Sequence, residues 1–256
     1  MMFVLSPAKT LDFESPLPDI SATEADFVDE AQRLIRRLKR CKADELAELM
    51  ELSPALAALN HARYRQWART HDPASARPCV LAFAGDVYEG LEAGGLSSED
   101  LGWAQQRLRI LSGLYGLLRP LDRIRPYRLE MGTRIDTTRG RDLYAFWGDR
   151  LAIRLRTELD AQDSPTLVNL ASIEYFKAVP VKTLARPVIQ PVFQERRGDS
   201  YKIISFMAKR ARGLMARYAI THRIDRPEGL LDFDAEGYRF EPSASDESTW
   251  IFRRSA

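Results

Sequence analysis

Residues Ala104 to Arg141, AQQRLRILSGLYGLLRPLDRIRPYRLEMGTRIDTTRGR, are the stretch on which the reading of this chain turns. The stretch opens as an amphipathic helix: Leu101, Ala104, Leu108 and Leu111 share one face, with Arg107 and Arg109 on its flanks. The helix breaks at Gly113-Leu-Tyr-Gly116, a pattern like the hairpin of a helix-hairpin-helix, which offers backbone N–H groups to a nucleic-acid phosphate. Glycines also end ordinary helices, and Pro120 and Pro126 shorten any second helix. Nine arginines (Arg107, Arg109, Arg119, Arg123, Arg125, Arg128, Arg134, Arg139 and Arg141) stand against Asp122, Glu130 and Asp136. In a chain whose net charge is only +2, that local excess asks for an anionic partner.

The 256 residues are enough for a sizeable core, and their 45% hydrophobic and 29% charged composition is that of a soluble globular protein. No apolar run approaches the roughly 20 residues a membrane helix needs. The opening MMFVLSPAKT lacks a basic n-region and a long apolar core, so it reads as a first strand rather than a secretory signal. Cys41 and Cys79 lie far apart in no metal-like spacing, which suits a reducing cytoplasm. Charge is unevenly distributed near the end of the chain. Tyr201 to Arg223 carries six basic residues and no acid, whereas Asp225 to Glu247 carries eight acids against Arg226 and Arg239. The acidic segment either folds back on the basic one or faces away from it.

Along the chain, Met2–Leu5 reads as a buried strand ending at Ser6-Pro7, which puts Lys9 in a loop at the strand's C-terminal end. A capping box at Ser21–Glu24 predicts a helix to about Arg40, followed by helices over 43–50 and 54–70. Cys79–Phe83 reads as a second strand, running into a glycine-shaped loop that holds Asp86 and Tyr88. Ser97 opens the next helix, and one helix is expected between Gly140 and Asp163. Thr166–Leu170 is a strand leading into Asn169 and Glu174. Two paired strands, 188–193 and 201–206, are joined at Arg197-Gly-Asp199. In the helix after Phe206, Lys209, Arg210, Gly213 and Arg217 fall within one quadrant, a basic face whose central glycine would let a bulky anion approach the backbone. Tyr238–Phe240 and Thr249–Phe252 are strand-like runs that could close a sheet. The expectation is one α+β domain over residues 1–256, a mixed β-sheet surrounded by helices.

His61, His71, His222 and the two cysteines show no metal-ligand spacing, and neither a Walker A loop, a Rossmann fingerprint nor a haem or iron–sulfur motif is present. No metal and no cofactor are expected. Ser6-Pro-Ala-Lys9 matches a Ser-x-x-Lys nucleophile pattern, but its companion elements are missing. Two readings stay open. In one, the basic segments bind DNA in a structure-selective way, with arginines on phosphates and Tyr115, Tyr127 and Trp147 nearby to stack on bases. In the other, Lys9, Asp86, Glu130, Asn169 and Glu174 converge in an enzyme pocket acting on a nucleotide or base, Lys9 holding phosphate and Asp86 or Glu130 serving as acid or base. Direct iron sequestration finds no ligand cluster.

Several motifs together resemble one known family. They are Ser6-Pro-Ala-Lys-Thr10, Gly85-Asp-Val-Tyr88 with Gly90-Leu91, Leu111-Ser-Gly-Leu-Tyr-Gly116 with Arg119-Pro120, and Pro126-Tyr-Arg-Leu-Glu-Met-Gly132. Phe146-Trp-Gly-Asp149, Asn169-Leu-Ala-Ser172 with Glu174-Tyr-Phe176, and Lys209-Arg-Ala-Arg-Gly-Leu-Met215 complete the set. In this order they resemble the bacterial YaaA family of peroxide-stress proteins, from Ser6 to about Tyr238. The resemblance implies a cytoplasmic protein that helps limit free iron and oxidative DNA damage under hydrogen peroxide. It also implies DNA binding, with a preference for distorted or branched DNA, through a fold particular to the family that carries a helix-hairpin-helix and a positive cleft. Carried onto this sequence, the expected DNA contacts are Lys9, Arg107, Arg109, Gly113, Tyr115, Gly116, Arg119, Arg123, Arg128, Lys209, Arg210, Arg212 and Arg217. No membrane and no protein partner are expected.

Overall fold

The computed structural model describes residues 1–255. The chain begins with β1 (Met2–Leu5), wholly buried, as an apolar strand covered on both faces must be. β2 (Thr10–Leu11) follows, and then three helices, α1 (Val28–Leu38), α2 (Ala43–Met50) and α3 (Pro54–Gln66). Ser53 caps α3 through the Leu56 N–H, with Pro54 in the first turn. The expected capping box at Ser21–Glu24 caps nothing: Thr23 donates its hydroxyl to buried Asp122 at 2.6 Å, and α1 starts only at Val28. β3 (Arg77–Pro78), the single turn α4 (Cys79–Ala82) and β4 (Phe83–Ala84) replace the strand expected over 79–83, because burial on all sides leaves an apolar run without a period.

Two short helices, α5 (Asp86–Leu91) and α6 (Ser98–Arg107), lead into β5 (Leu108–Ser112), β6 (Gly116–Leu118) and β7 (Arg123–Ile124). The helix expected to run on to Leu111 therefore stops at Arg107, where Leu108 turns to extended backbone. β5 and β6 pair antiparallel, Ile110 with Leu118 and Ser112 with Gly116. The glycine pair thus closes a β-hairpin, and residues 116–142 contain no helix, so the helix-hairpin-helix expected here is not what these residues form. Leu108 and Leu111 are buried because every residue of the strand is, a pattern that mimics a helical stripe.

Past the hairpin come α7 (Leu143–Trp147) and α8 (Arg150–Asp160), one expected helix split at Gly148, whose φ of +49° an ordinary helix cannot hold. β8 (Leu167–Asn169), the short turns α9 (Ile173–Phe176) and α10 (Val181–Leu184), β9 (Val188–Arg197) and β10 (Ser200–Lys202) precede the long helix α11 (Ser205–Thr221). β11 (Arg239–Phe240) and β12 (Thr249–Arg254) complete the strands.

The main sheet runs β11-β12-β9-β8-β1-β5-β6, with β10 also on β9. Its middle, from β12 to β5, is parallel, and its edges and the β9–β10 hairpin are antiparallel. The result is one domain with a mixed sheet and helices around it. Parallel central strands gather their C-terminal ends on one side, where loops after β1 and β8 meet.

Candidate functional site

The loops after β1 and β8, the start of α5 and one face of α11 enclose a cleft of about 440 Å³. Its walls include Ser6–Thr10, Ala84–Tyr88, Ser172, Glu174, Tyr175, Lys209 and Arg212. The loops are held from behind. Ser172 donates its backbone N–H to Ser6 Oγ at 2.9 Å, and Tyr88 donates its phenol to the Ser6 carbonyl at 3.0 Å. Asn169, expected in the pocket, is buried behind it. Its amide accepts from the Ala171 N–H at 2.9 Å, and its carbonyl accepts from Gln190 Nε2 at 2.9 Å, so it shapes the turn after β8.

Helix α11 reaches the cleft because two glycines let it press on α5. A Cβ on Gly213 would lie 1.8 Å from the Val87 carbonyl oxygen, and one on Gly90 would lie 2.2 Å from that of Arg210. The glycine expected to admit an anion to the helix backbone instead admits another helix. The basic face is divided accordingly. Arg210 pairs with Glu236 at 2.7 Å, and Arg217 binds the Leu91 and Glu92 carbonyls. The acidic segment thus folds back in part, through Glu236. Lys209 and Arg212 turn into the cleft. Among the described residues neither forms an ion pair with a carboxylate, and Arg212 Nε is buried with no hydrogen-bond partner. Burial alone pushes the Arg212 guanidinium below its ordinary value, with no acid close enough to offset it.

Two carboxylates, Asp86 and Glu174, line the same cleft, and Glu174 Oε1 accepts the Gly132 N–H at 2.9 Å. Lys9 sits at the rim, ion-paired with Glu130 at 2.7 Å, and Arg128 reaches the other oxygen of Glu130 at 3.0 Å. Glu130 therefore bridges two cations beside the cleft. Burial drives the phenols of Tyr88 and Tyr175 well above their ordinary range, so both stand as neutral hydroxyls. Tyr175, Ser172 and Thr10 are wall residues that the sequence reading passed over as site residues. The signal present was Ser172, a helix N-cap directly after a strand, whose hydroxyl accepts from the Tyr175 N–H.

The remaining expected DNA contacts lie elsewhere. Gly113, Tyr115 and Gly116 are interior: a Cβ on Gly113 would meet the Leu129 carbonyl oxygen at 2.3 Å, and one on Gly116 would meet the Trp147 ring at 2.6 Å. Tyr115 accepts from Trp67 Nε1 at 2.9 Å and the Arg125 N–H at 3.1 Å, and it lies 3.3 Å from His71 Nε2. His71 Nδ1 faces the Arg123 carbonyl at 3.0 Å; burial lowers its imidazole to about 4, which keeps it neutral. Arg109 is buried and paired with Glu158 at 2.8 Å. Arg119 pairs with Asp122 at 3.0 Å and Asp26 at 3.4 Å, and Arg123 with Glu24 at 3.6 Å. Arg107 lies over the Trp103 ring at 4.9 Å. Interior position excludes Arg109, Gly113, Tyr115 and Gly116 from contact with a DNA strand.

The family model described as peroxide stress protein YaaA matches residues 1–244. The chain belongs to that family. It is similar over its whole length to UPF0246 proteins: 56% identical to one from Aromatoleum aromaticum, covering 100% of both chains, and 55% to one from Bordetella petrii, again covering 100% of both. A third, from Burkholderia lata, is 55% identical over 99% of this chain and 98% of its own. No described helix is long and apolar enough to cross a membrane, and no group of three or more His, Cys, Asp or Glu among the described residues is placed to hold a metal ion.

Proposed function

We propose that this peroxide stress protein works by binding DNA, with a preference for distorted or branched forms, and so helps limit free iron and oxidative DNA damage. The observation that carries the DNA part is the pair Lys209 and Arg212, cations that line one cleft and form no ion pair among the described residues. The Arg212 Nε, buried without a hydrogen-bond partner, is costly in the free protein, and a phosphate oxygen is a group the planar guanidinium fork fits. The role in iron control is carried over from the family resemblance. A salt titration of binding to a perfect duplex and a four-way junction tests the proposal. The expected result is tighter binding to the junction and a fall in log K with log salt, with a shallower slope in Lys209→Gln and Arg212→Gln. Failure of the folded protein to bind either DNA at low salt would sink it.

A second reading is supported by Asp86 and Glu174, two carboxylates in the same cleft as those cations. That arrangement suits an enzyme acting on a nucleotide or base, with one carboxylate as acid or base and the cations on phosphate. Lys9 and Glu130, its other expected members, sit paired at the rim. Turnover of a nucleotide or nucleic acid that Asp86→Asn abolishes, with folding intact, would establish it. Unchanged substrates in the presence of stoichiometric protein would remove it.

A further inference from the structure

At about 440 Å³ the cleft is the size of a small-ligand pocket, typically about 300–1,000 Å³, which takes a nucleotide but not a double helix. A duplex can meet its rim only. One turn of α11 before Lys209, Phe206 stands 58% exposed, an uncommon cost for a large aromatic unless something covers it. Phe206, Lys209 and Arg212 follow one another at i, i+3 and i+6, so neighbouring side chains along α11 run from an exposed ring to two cations that line the cleft. Asp86 and Glu174 line the same cleft as the two cations, and their carboxylates can accept from sugar or base donors.

We infer that the cleft seats one unpaired nucleotide, its phosphate between Lys209 and Arg212 and its base stacked on Phe206. The inference rests on reading these cations as a phosphate site. The same unit can come from a free mononucleotide or from a nucleotide extruded from a DNA strand, and extrusion is cheapest where pairing is already disturbed. Seating an extruded nucleotide would make the protein selective for distorted DNA without any reading of sequence.

Two titrations on the full chain test the seat. In the first, dAMP and deoxyadenosine are compared by calorimetry. dAMP binds at least tenfold tighter; Arg212→Gln costs roughly ten- to a hundredfold, Arg212→Lys less, and exposed Phe206→Ala about tenfold, while Arg123→Gln stays within twofold. In the second, a duplex with one bulged 2-aminopurine is compared with its perfectly paired counterpart. The bulged form binds at least tenfold tighter, and the fluorescence of its 2-aminopurine falls on binding in the unmodified protein but not in Phe206→Ala. Binding of dAMP with this variant pattern but of no DNA keeps the seat and removes the DNA reading. Equal binding of both duplexes, no binding of dAMP and no effect of Phe206→Ala overturns the seat and leaves the DNA reading standing.

Discussion

Two basic regions of this molecule are treated in opposite ways. The 104–141 segment carries nine arginines, and six of them (Arg109, Arg119, Arg123, Arg125, Arg128 and Arg139) are ion-paired with acids, mostly drawn from distant parts of the chain. Helix α11 carries only four basic residues, yet two of them, Lys209 and Arg212, line a cleft and form no ion pair among the described residues. Charge density along the chain is therefore a poor guide to where an anion binds. What matters is which cations the fold leaves uncompensated. The first region uses six of its nine arginines as internal ties between the hairpin, the N-terminal helices and α8; the second turns two of its four cations into a cleft.

The largest effect expected from breaking the first region is at Arg109. Its side chain and that of Glu158 are 6% and 12% exposed, so Arg109→Met leaves the carboxylate with Arg154 as its remaining partner and should cost about 3 kcal/mol in urea unfolding. The double change Arg109→Met with Glu158→Leu should recover most of that loss. A negligible cost for Arg109→Met alone would mean that the tie is not structural. Next in size is the α5–α11 contact that aims the second region. Gly213→Ala drives a methyl into the Val87 carbonyl and should destabilise by about 1–3 kcal/mol, more if the helices cannot separate.

Whether the first region is interior can also be tested with pH. His71 is held neutral with its pKa lowered to about 4 from an ordinary 6.5. The unfolded chain therefore takes up a proton first as pH falls. Stability is full above about pH 6.5 and declines toward pH 4, by roughly 2–3 kcal/mol. His71→Gln should flatten that part of the profile; an equally steep decline in the variant would show that other groups cause it. The smallest effect is expected at Arg123, whose pair with Glu24 is partly exposed: Arg123→Gln should change stability by less than about 1 kcal/mol.

Much of the scaffold could be read from residue patterns, because the cues are local. β1, α2, the N-cap of α3, the start of α6, the β9–β10 turn at Gly198 and the strand after Ser248 follow from periodicity and capping. The hairpin at Gly113–Gly116 did not, because a strand buried on both faces shows a continuous apolar run that helix and strand share. The cleft was partly anticipated: Lys9, Asp86 and Glu174 do come together, since each follows a strand end or opens a helix beside one. Pairing was out of reach. That Glu130 would bridge Lys9 and Arg128, or that Glu24, Asp26, Glu30 and Asp72 would neutralise arginines some fifty to a hundred residues away, depends on tertiary contacts that no spacing encodes.

The central claim is that anion binding follows uncompensated cations rather than dense ones. Its most direct test is a parallel measurement of junction-DNA affinity, at one low salt concentration, for Arg212→Gln and Lys209→Gln against Arg123→Gln and Arg119→Gln. The account predicts a loss of about tenfold or more for each cleft variant and less than about twofold for each paired arginine. The reverse order, with Arg119 and Arg123 decisive and Lys209 and Arg212 silent in folded protein, would contradict it.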